Sequence, residues 1–338
     1  MFKNQTVFVL GAGASWHYGY PTREELVKKV IAKARIAANH FTTALTSPAN
    51  GIPFRPKYIT RNSPDPVPAD GLTGMKAEWQ TAIDECSDLV SRLTTVDPLV
   101  IDYFLGQNPH LGDIGKFFIA WVLLECEAVF LKYGINNNRR ELLLRTSDRT
   151  DREKASSIEH LRHYNDNWHR FLIHKLVTGC PDAQSLLNNK VTFITFNYDV
   201  SLEFQLSQGL SAIAQFAEGN TVRQFFEGDR FIHIYGKVRE DATAPPPSFD
   251  LDLLGGVTFG GAKPQPGPPQ LWNSNNALFD TVYEASKGIR TIAPHEKTVD
   301  SVVETARRAI ADANCVYILG YGFDENNSKL LLFRTASR

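Results

Sequence analysis

The residues of this sequence with the clearest capacity for chemistry are Gly11-Ala12-Gly13-Ala14-Ser15, directly after an apolar segment. Glycine has no Cβ, so a ligand can approach the backbone N–H groups of such a turn closely. The apolar segment, residues 6–10, is rich in Val and Phe and predicts a buried parallel strand. A helix is predicted to begin near Thr22, and a helix N-terminus favours negative charge. Strand, turn and helix in this order predict a diphosphate site.

This turn differs from the dinucleotide fingerprint of dehydrogenases. The third glycine of that fingerprint is replaced by Trp16, and residues 28–38, where a strand-end acid is expected, keep a helical pattern. The turn therefore predicts a nucleotide site of another kind. A glycine turn that only connects a strand to a helix is the alternative that the residues alone leave open.

Polar or glycine residues also follow three later strands. In an open parallel sheet, ligands bind beyond the carboxyl ends of the strands, so we expect these residues to meet in one crevice. Asn197 and Asp199 could instead be ordinary strand-end and helix-capping residues. The strands and the residues that follow them are 190–196 before Asn197-Tyr198-Asp199, 230–235 before Gly236, and 315–319 before Gly320-Tyr321-Gly322.

The alternation of strand and helix patterns predicts an α/β fold. We expect a Rossmann-like, mostly parallel sheet with helices on both faces and a helical insertion. One domain over residues 1–338 is expected, within which residues 40–180 form the mainly helical insertion and residues 242–275 a Pro- and Gly-rich loop. The apolar run 117–130 is too short to span a bilayer, which predicts a buried helix.

Charge and cysteine content restrict the partners. The net charge is −1 and the isoelectric point about 6.8, so no global field attracts nucleic acid or an anionic membrane, and we expect direct contact with neither. The four cysteines include no Cys-x-x-Cys pair, which is unlike the usual zinc ribbon and favours reduced thiols in the cytoplasm.

Taken together, the motifs resemble the sirtuin family in their order and spacing. The helical segment 101–105, Gly115-Lys116 and the stretch 320–326 resemble, more closely, bacterial sirtuin-like NADases of antiphage defence systems. That resemblance implies NAD⁺ as the substrate, self-association, and a protein partner such as a HerA-type ATPase or a short Argonaute. The motifs that carry it are Gly11 to Ser15 with Gly19-Tyr20-Pro21, Thr195 to Asp199, His233 to Gly236, and Leu319 to Phe323.

The resemblance also implies roles for individual residues. Asn197 and Asp199 are expected near the nicotinamide ribose, and Asn197 is expected to be essential. Cleavage of the nicotinamide–ribose bond passes through an oxocarbenium-like state, so an amide that holds the attacking water or hydroxyl and a group that handles a proton are needed. Asn197 fits the first task and His233 the second. The remaining expected contacts are Gly11, Ala12, Gly13 and Ser15 with the diphosphate and its ribose, and Gly320 and Gly322 with the adenosine ribose.

Three departures from the family pattern affect the interpretation. The four-cysteine zinc module of deacylating sirtuins is missing, so no zinc is expected and hydrolysis of NAD⁺ itself is favoured. The family's Gly-Ile-Pro-Asp-Phe-Arg is here residues 19–24, without its Asp and Arg in place. The family's catalytic His directly precedes a Gly, whereas Tyr235 precedes Gly236 here. In a strand, His233 and Tyr235 would share a face.

Two assignments of the catalytic position therefore remain. Either His233 is the general base and Tyr235 orients a ribose hydroxyl, or Tyr235 occupies the catalytic position and activity is weak or absent. The first assignment predicts an NAD⁺ glycohydrolase that releases nicotinamide and ADP-ribose, held inactive until a signal or partner activates it. The second predicts a subunit that binds NAD⁺ or ADP-ribose and regulates a complex. A protein deacylase or ADP-ribosyltransferase is less favoured, and a dehydrogenase least.

Overall fold

Four parallel strands form the sheet that carries the candidate site. The structure, a computed structural model, describes residues 1–46, 72–130, 168–217, 220–244, 276–291 and 300–332. The strands are β1 (Thr6–Leu10), β2 (Val191–Thr195), β3 (Phe231–His233) and β4 (Cys315–Leu319), in the order β3-β2-β1-β4. Leu10 is paired with Thr195 and Leu319, and Thr195 with His233. All four carboxyl ends therefore lie in one row.

The helices are distributed over two compact units. We call residues Met1–Thr22, Ile158–Pro245 and His295–Arg338 the sheet unit, and residues Arg23–Ser157 and Pro246–Pro294 the helical unit. The helical unit contains α1 (Arg23–Thr46), α2 (Leu72–Val96), α3 (Ile101–Gln107), α4 (Gly112–Phe130) and α9 (Asn276–Lys287). The sheet unit contains α5 (Trp168–Val177), α6 (Ser201–Ser211), α7 (Ala214–Ala217), α8 (Thr221–Phe225), α10 (Ser301–Ala311) and α11 (Glu325–Leu330).

The core of the sheet unit is built on one face of the sheet. Phe8 of β1 stacks on Phe193 of β2, with ring centroids 5.3 Å apart. Helices α5, α6 and α8 cover this face with apolar side chains. Helix α10 packs against β3 and contributes no residue to this cluster. The predicted α/β class, with a parallel sheet and flanking helices, is confirmed.

Helix α4 is the centre of the helical unit and packs against α1, α2, α3 and α9. Its side chains are buried on all sides from Phe117 to Leu124, which confirms the buried helix predicted from the apolar run. Lys33 of α1 donates to Glu125 of α4 over 2.8 Å, so a charge pair joins two of the packed helices. Among the described residues, no helix is long and apolar enough to cross a membrane.

Some predicted boundaries change in the structure. The third strand was predicted to continue to Tyr235 but ends at His233, because the chain turns before Gly236, which has a φ of 73°. The sequence of residues 288–293 also predicts a short strand, which is wrong for its described part, since no strand includes residues 288–291. Helix α5 falls within the predicted insertion 40–180 but packs in the sheet unit. The Pro- and Gly-rich loop, apart from residues 242–244, lies outside the described residues.

Candidate functional site

The glycine turn packs against the turn that follows β4. Gly11 N donates to Leu319 O and Gly13 N to Gly320 O, both over 3.0 Å. A Cβ added to Gly13 would lie 2.9 Å from the Cα of Gly320, and one added to Gly11 only 2.6 Å from the Gly320 carbonyl oxygen. The two glycines are thus required by a close approach of two backbone turns, whatever else they bind.

The backbone N–H groups of this turn are less available to an anion than the sequence suggests. Besides the two bonds to the β4 turn, Ala14 N donates to Gly11 O and Ser15 N to Ala12 O. Among the five N–H groups of residues 11–15, only that of Ala12 has no hydrogen-bond acceptor within the described chain. Residues 12–14 and 16–18 form short 3₁₀ turns, and α1 begins only at Arg23. Ala12 is therefore the main-chain donor best placed to bind a phosphate.

Asn197 is fixed through its main chain and its side chain. Its amide nitrogen Nδ2 donates to Gly11 O over 3.0 Å and to Ser15 Oγ over 3.1 Å. Its backbone N donates to Thr195 Oγ1 over 3.0 Å. Because Gly11 O can only accept, the amide orientation is determined. The Asn197 Oδ1 accepts no hydrogen bond from the described residues, so it is available to a ligand.

Asp199 is a buried carboxyl group bound by two serines. Its Oδ2 accepts from Ser15 Oγ over 2.8 Å, and its Oδ1 accepts from Ser201 N over 3.1 Å and Ser201 Oγ over 2.5 Å. Burial raises the pKa of Asp199, and the bonds from Ser201 and Ser15 oppose that rise. The bonds from Ser201, the first residue of α6, connect Asp199 to the start of that helix, whose N-cap is Val200. The bond from Ser15 connects Asp199 to the glycine turn.

His233 is buried and paired with Glu203 of α6. Its Nε2 lies 2.6 Å from Glu203 Oε1 and its Nδ1 lies 3.2 Å from Asn197 O. Burial alone would lower the pKa of His233, but the Glu203 carboxylate more than offsets it and raises that pKa. The His233 charge and hydrogen bond likewise lower the pKa of Glu203 against its own burial. With both ring nitrogens engaged, His233 has no lone pair for a substrate proton in this arrangement.

Tyr235 contacts a different element from His233. Its hydroxyl donates to Asn327 Oδ1 of α11 over 2.5 Å, and both side chains are buried. The expectation that Tyr235 and His233 share a face is therefore not met, because β3 ends before Tyr235. Asp324 accepts from Asn327 N over 3.0 Å and so positions the acceptor of Tyr235.

A small pocket, partly open to solvent, lies next to this cluster within the sheet unit. Its cavity volume is about 10 Å³, room for about one water molecule. Trp168 Nε1 donates to Ala14 O over 3.0 Å, so the start of α5 supports the glycine turn from this side. The polar side chains that line the pocket are Ser15, His169, Thr195, Asn197, Asp199, Ser201 and Glu203.

The structure brings together most of the residues predicted for the site. Ser15, Asn197 and Asp199 form one hydrogen-bonded cluster, and Gly11 accepts from it. Gly320 supports the glycine turn and Gly322 follows it in the same turn before α11. Glu203 and Asn327 were not predicted. Glu203 shares a helix face with Leu206 and Leu210 at a spacing of three and seven residues, and an acid in an apolar stripe is a signal that could have revealed it.

No group of three or more His, Cys, Asp or Glu side chains that could hold a metal ion occurs among the described residues. Comparison with known proteins adds no assignment. No protein-family model, curated protein or solved structure matches this chain.

Proposed function

We propose that this chain binds NAD⁺ beyond the carboxyl ends of β1 and β2 and hydrolyses the bond between nicotinamide and ribose. The observation that carries the proposal is the Asn197 amide, which is held by Gly11 O and Ser15 Oγ, while no described residue donates to its Oδ1. A fixed acceptor of this kind can orient a water molecule for attack. The resemblance of the motifs to sirtuin-like NADases supports the same substrate.

The proposed reaction needs little acid catalysis from the protein. Water attacks C1′ of the nicotinamide ribose, and the carbon–nitrogen bond breaks with its electron pair going to the nicotinamide nitrogen. The pyridinium ring becomes neutral, and the water gives up a proton to solvent as ADP-ribose forms. Asn197 Oδ1 accepts a hydrogen bond from the attacking water. Asp199 accepts a hydrogen bond from the Ser15 hydroxyl, so a lone pair of Ser15 Oγ accepts from Asn197 Nδ2 and the amide stays oriented.

The biological setting proposed here follows from the resemblance alone. A sirtuin-like NADase that depletes NAD⁺ would act as a regulated effector of bacterial antiphage defence in the cytoplasm. It would self-associate and work with a protein partner such as a HerA-type ATPase or a short Argonaute. We expect purified chain to be larger than a monomer in light scattering, and a monomer at working concentration would contradict the oligomer.

A second candidate is a subunit that binds NAD⁺ or ADP-ribose without turnover. The observation that favours it is the state of the two residues considered for the general base. Both nitrogens of His233 are engaged, and the Tyr235 hydroxyl is bonded to Asn327. Binding of NAD⁺ in calorimetry without nicotinamide release, both alone and with the neighbouring gene product, would select this function.

Asn197→Ala is expected to lower nicotinamide release by at least about 100-fold, because it removes the only side chain proposed to orient the water. The measurement is nicotinamide and ADP-ribose released from NAD⁺, with and without the neighbouring gene product. Asn220→Ala is the matched control, since Asn220 is exposed and its side chain caps no helix. Equal turnover by Asn197→Ala and wild type would refute the proposed mechanism.

A further inference from the structure

The bonding partners of His233 determine what this residue can do. Asn197 O is a carbonyl and can only accept, so His233 Nδ1 carries a proton. Glu203 Oε1 accepts from Nε2 when the glutamate is ionised. The His233 side chain is 7% exposed and that of Glu203 5%. The pair is thus a cation and an anion shielded from water, unless one proton has moved to the carboxyl group.

The surrounding charges act on this pair in both directions. Lys237 repels a charge on His233 and attracts the charge on Glu203, while Asp199 repels the Glu203 charge. The direct interaction is stronger than these, since the pKa of His233 is raised and that of Glu203 lowered despite the burial of both side chains. An ion pair at 2.6 Å also restricts the ring to one orientation.

We propose that Glu203 is a positioning residue for Asn197 and acts through His233. The Glu203 carboxylate holds the His233 ring with Nδ1 directed at the Asn197 carbonyl, so the main chain of Asn197 is held as well as its side-chain amide. This inference rests on the proposed function for its catalytic consequence. It also changes the role of His233, from a general base to a hydrogen-bond donor that orients the main chain of Asn197.

The hydrogen bond from His233 to the Asn197 carbonyl is one of four contacts that hold Asn197 in the site. Thr195 Oγ1 binds the Asn197 N–H, His233 binds its carbonyl, and Gly11 O with Ser15 Oγ binds its side-chain amide. Loss of the carbonyl contact leaves rotation about the Asn197 Cα–C bond less restricted. A displacement of about 1 Å in a reacting group can cost about 100-fold in rate.

Glu203→Gln tests this directly, because it keeps the shape and one acceptor but removes the charge. We expect kcat for nicotinamide release to fall about 10- to 100-fold while KM changes by less than about 3-fold. We expect Glu203→Asp, which keeps the charge, to recover part of the loss. Glu227→Gln is the matched control, as Glu227 is exposed and lies outside the site.

A second readout does not depend on NAD⁺ hydrolysis. In ¹⁵N-labelled wild-type protein, both ring nitrogens of His233 are expected to stay protonated at neutral pH, and in Glu203→Gln the ring should titrate at a lower pH. The Tyr198 amide resonance should shift in the same variant, because its nitrogen shares a peptide bond with the Asn197 carbonyl.

The outcomes separate this inference from the proposed function. A wild-type His233 with one unprotonated nitrogen at neutral pH overturns the ion pair. An unchanged Tyr198 resonance or an unchanged kcat in folded Glu203→Gln overturns the positioning role. If neither wild type nor Glu203→Gln releases nicotinamide, but the His233 ring and Tyr198 amide resonances behave as expected, hydrolysis is refuted as the function. The arrangement of Glu203, His233 and Asn197 is then still supported.

Discussion

Gly320→Ala is expected to destabilise the protein by about 2–5 kcal/mol in denaturant unfolding, the sum of a left-handed backbone penalty and overpacking. Gly320 has a φ of 60°, and a Cβ there would lie 2.0 Å from Ala14 N and 2.4 Å from the Gly13 carbonyl carbon. Both neighbours are backbone atoms, so no side chain can rotate away. The glycine turn would have to move from the end of β4.

A control variant separates the backbone penalty of a positive φ from the clash of a Cβ with the glycine turn. Gly228 also has a positive φ, 76°, but a Cβ at Gly228 would meet nothing within 4 Å. Gly228→Ala should therefore show the backbone penalty alone, about 1–2 kcal/mol. If the two variants lose the same free energy of unfolding, the close packing of the two turns is not supported. A folded Gly320→Ala should also bind NAD⁺ more weakly than Gly228→Ala.

His233→Ala is expected to lower the free energy of unfolding by about 3–5 kcal/mol, because it leaves the buried Glu203 carboxylate without its partner. Replacement of both members by Leu should restore much of the loss, since a buried ion pair is often exchanged for apolar residues at little cost. Denaturant unfolding of His233→Leu, Glu203→Leu and the double Leu variant measures the coupling between the two side chains. Additive losses would mean that the two residues do not form a pair.

The pair of His233 and Glu203 also predicts how the loss of unfolding free energy in His233→Ala depends on pH. The pKa of Glu203 is lowered from its ordinary 4.5, so its contribution is present above that pH and is lost as pH falls through the folded value. The pKa of His233 is raised from its ordinary 6.5, so its contribution is complete below 6.5 and is lost as pH rises through the folded value. The cost of His233→Ala should be largest between these two ordinary values. If the loss of unfolding free energy in His233→Ala instead keeps increasing with pH above both values, the two residues do not form an ion pair.

Local patterns predicted the parts of the site that depend on strand ends. Parallel strands with polar or glycine residues after them imply a shared edge, and Ser15, Asn197 and Asp199 do meet there. The contact between Gly13 and Gly320 could not be predicted in the same way. Residues 307 positions apart in the sequence approach closely only because β1 and β4 are neighbours, and no local pattern encodes that order.

The relation of His233 to Tyr235 shows where periodicity fails. A spacing of two residues places side chains on one face only while the strand continues, and β3 ends at His233. The length of a short edge strand depends on its neighbours and on the turn at Gly236, so it could not be inferred from residue types alone. Tyr235 consequently bonds to α11 and His233 to α6.

The strand order also has a consequence for how the protein is made. Central strand β1 pairs with β2, about 185 residues later, and with β4, about 309 residues later. A ribosome-bound chain that carries the glycine turn therefore lacks both of its lateral partners until most of the chain has been synthesised. We therefore expect the support of this cluster at Gly320 to form only late in synthesis. Under the proposed function, a truncated chain that lacks β4 is expected to release no nicotinamide from NAD⁺.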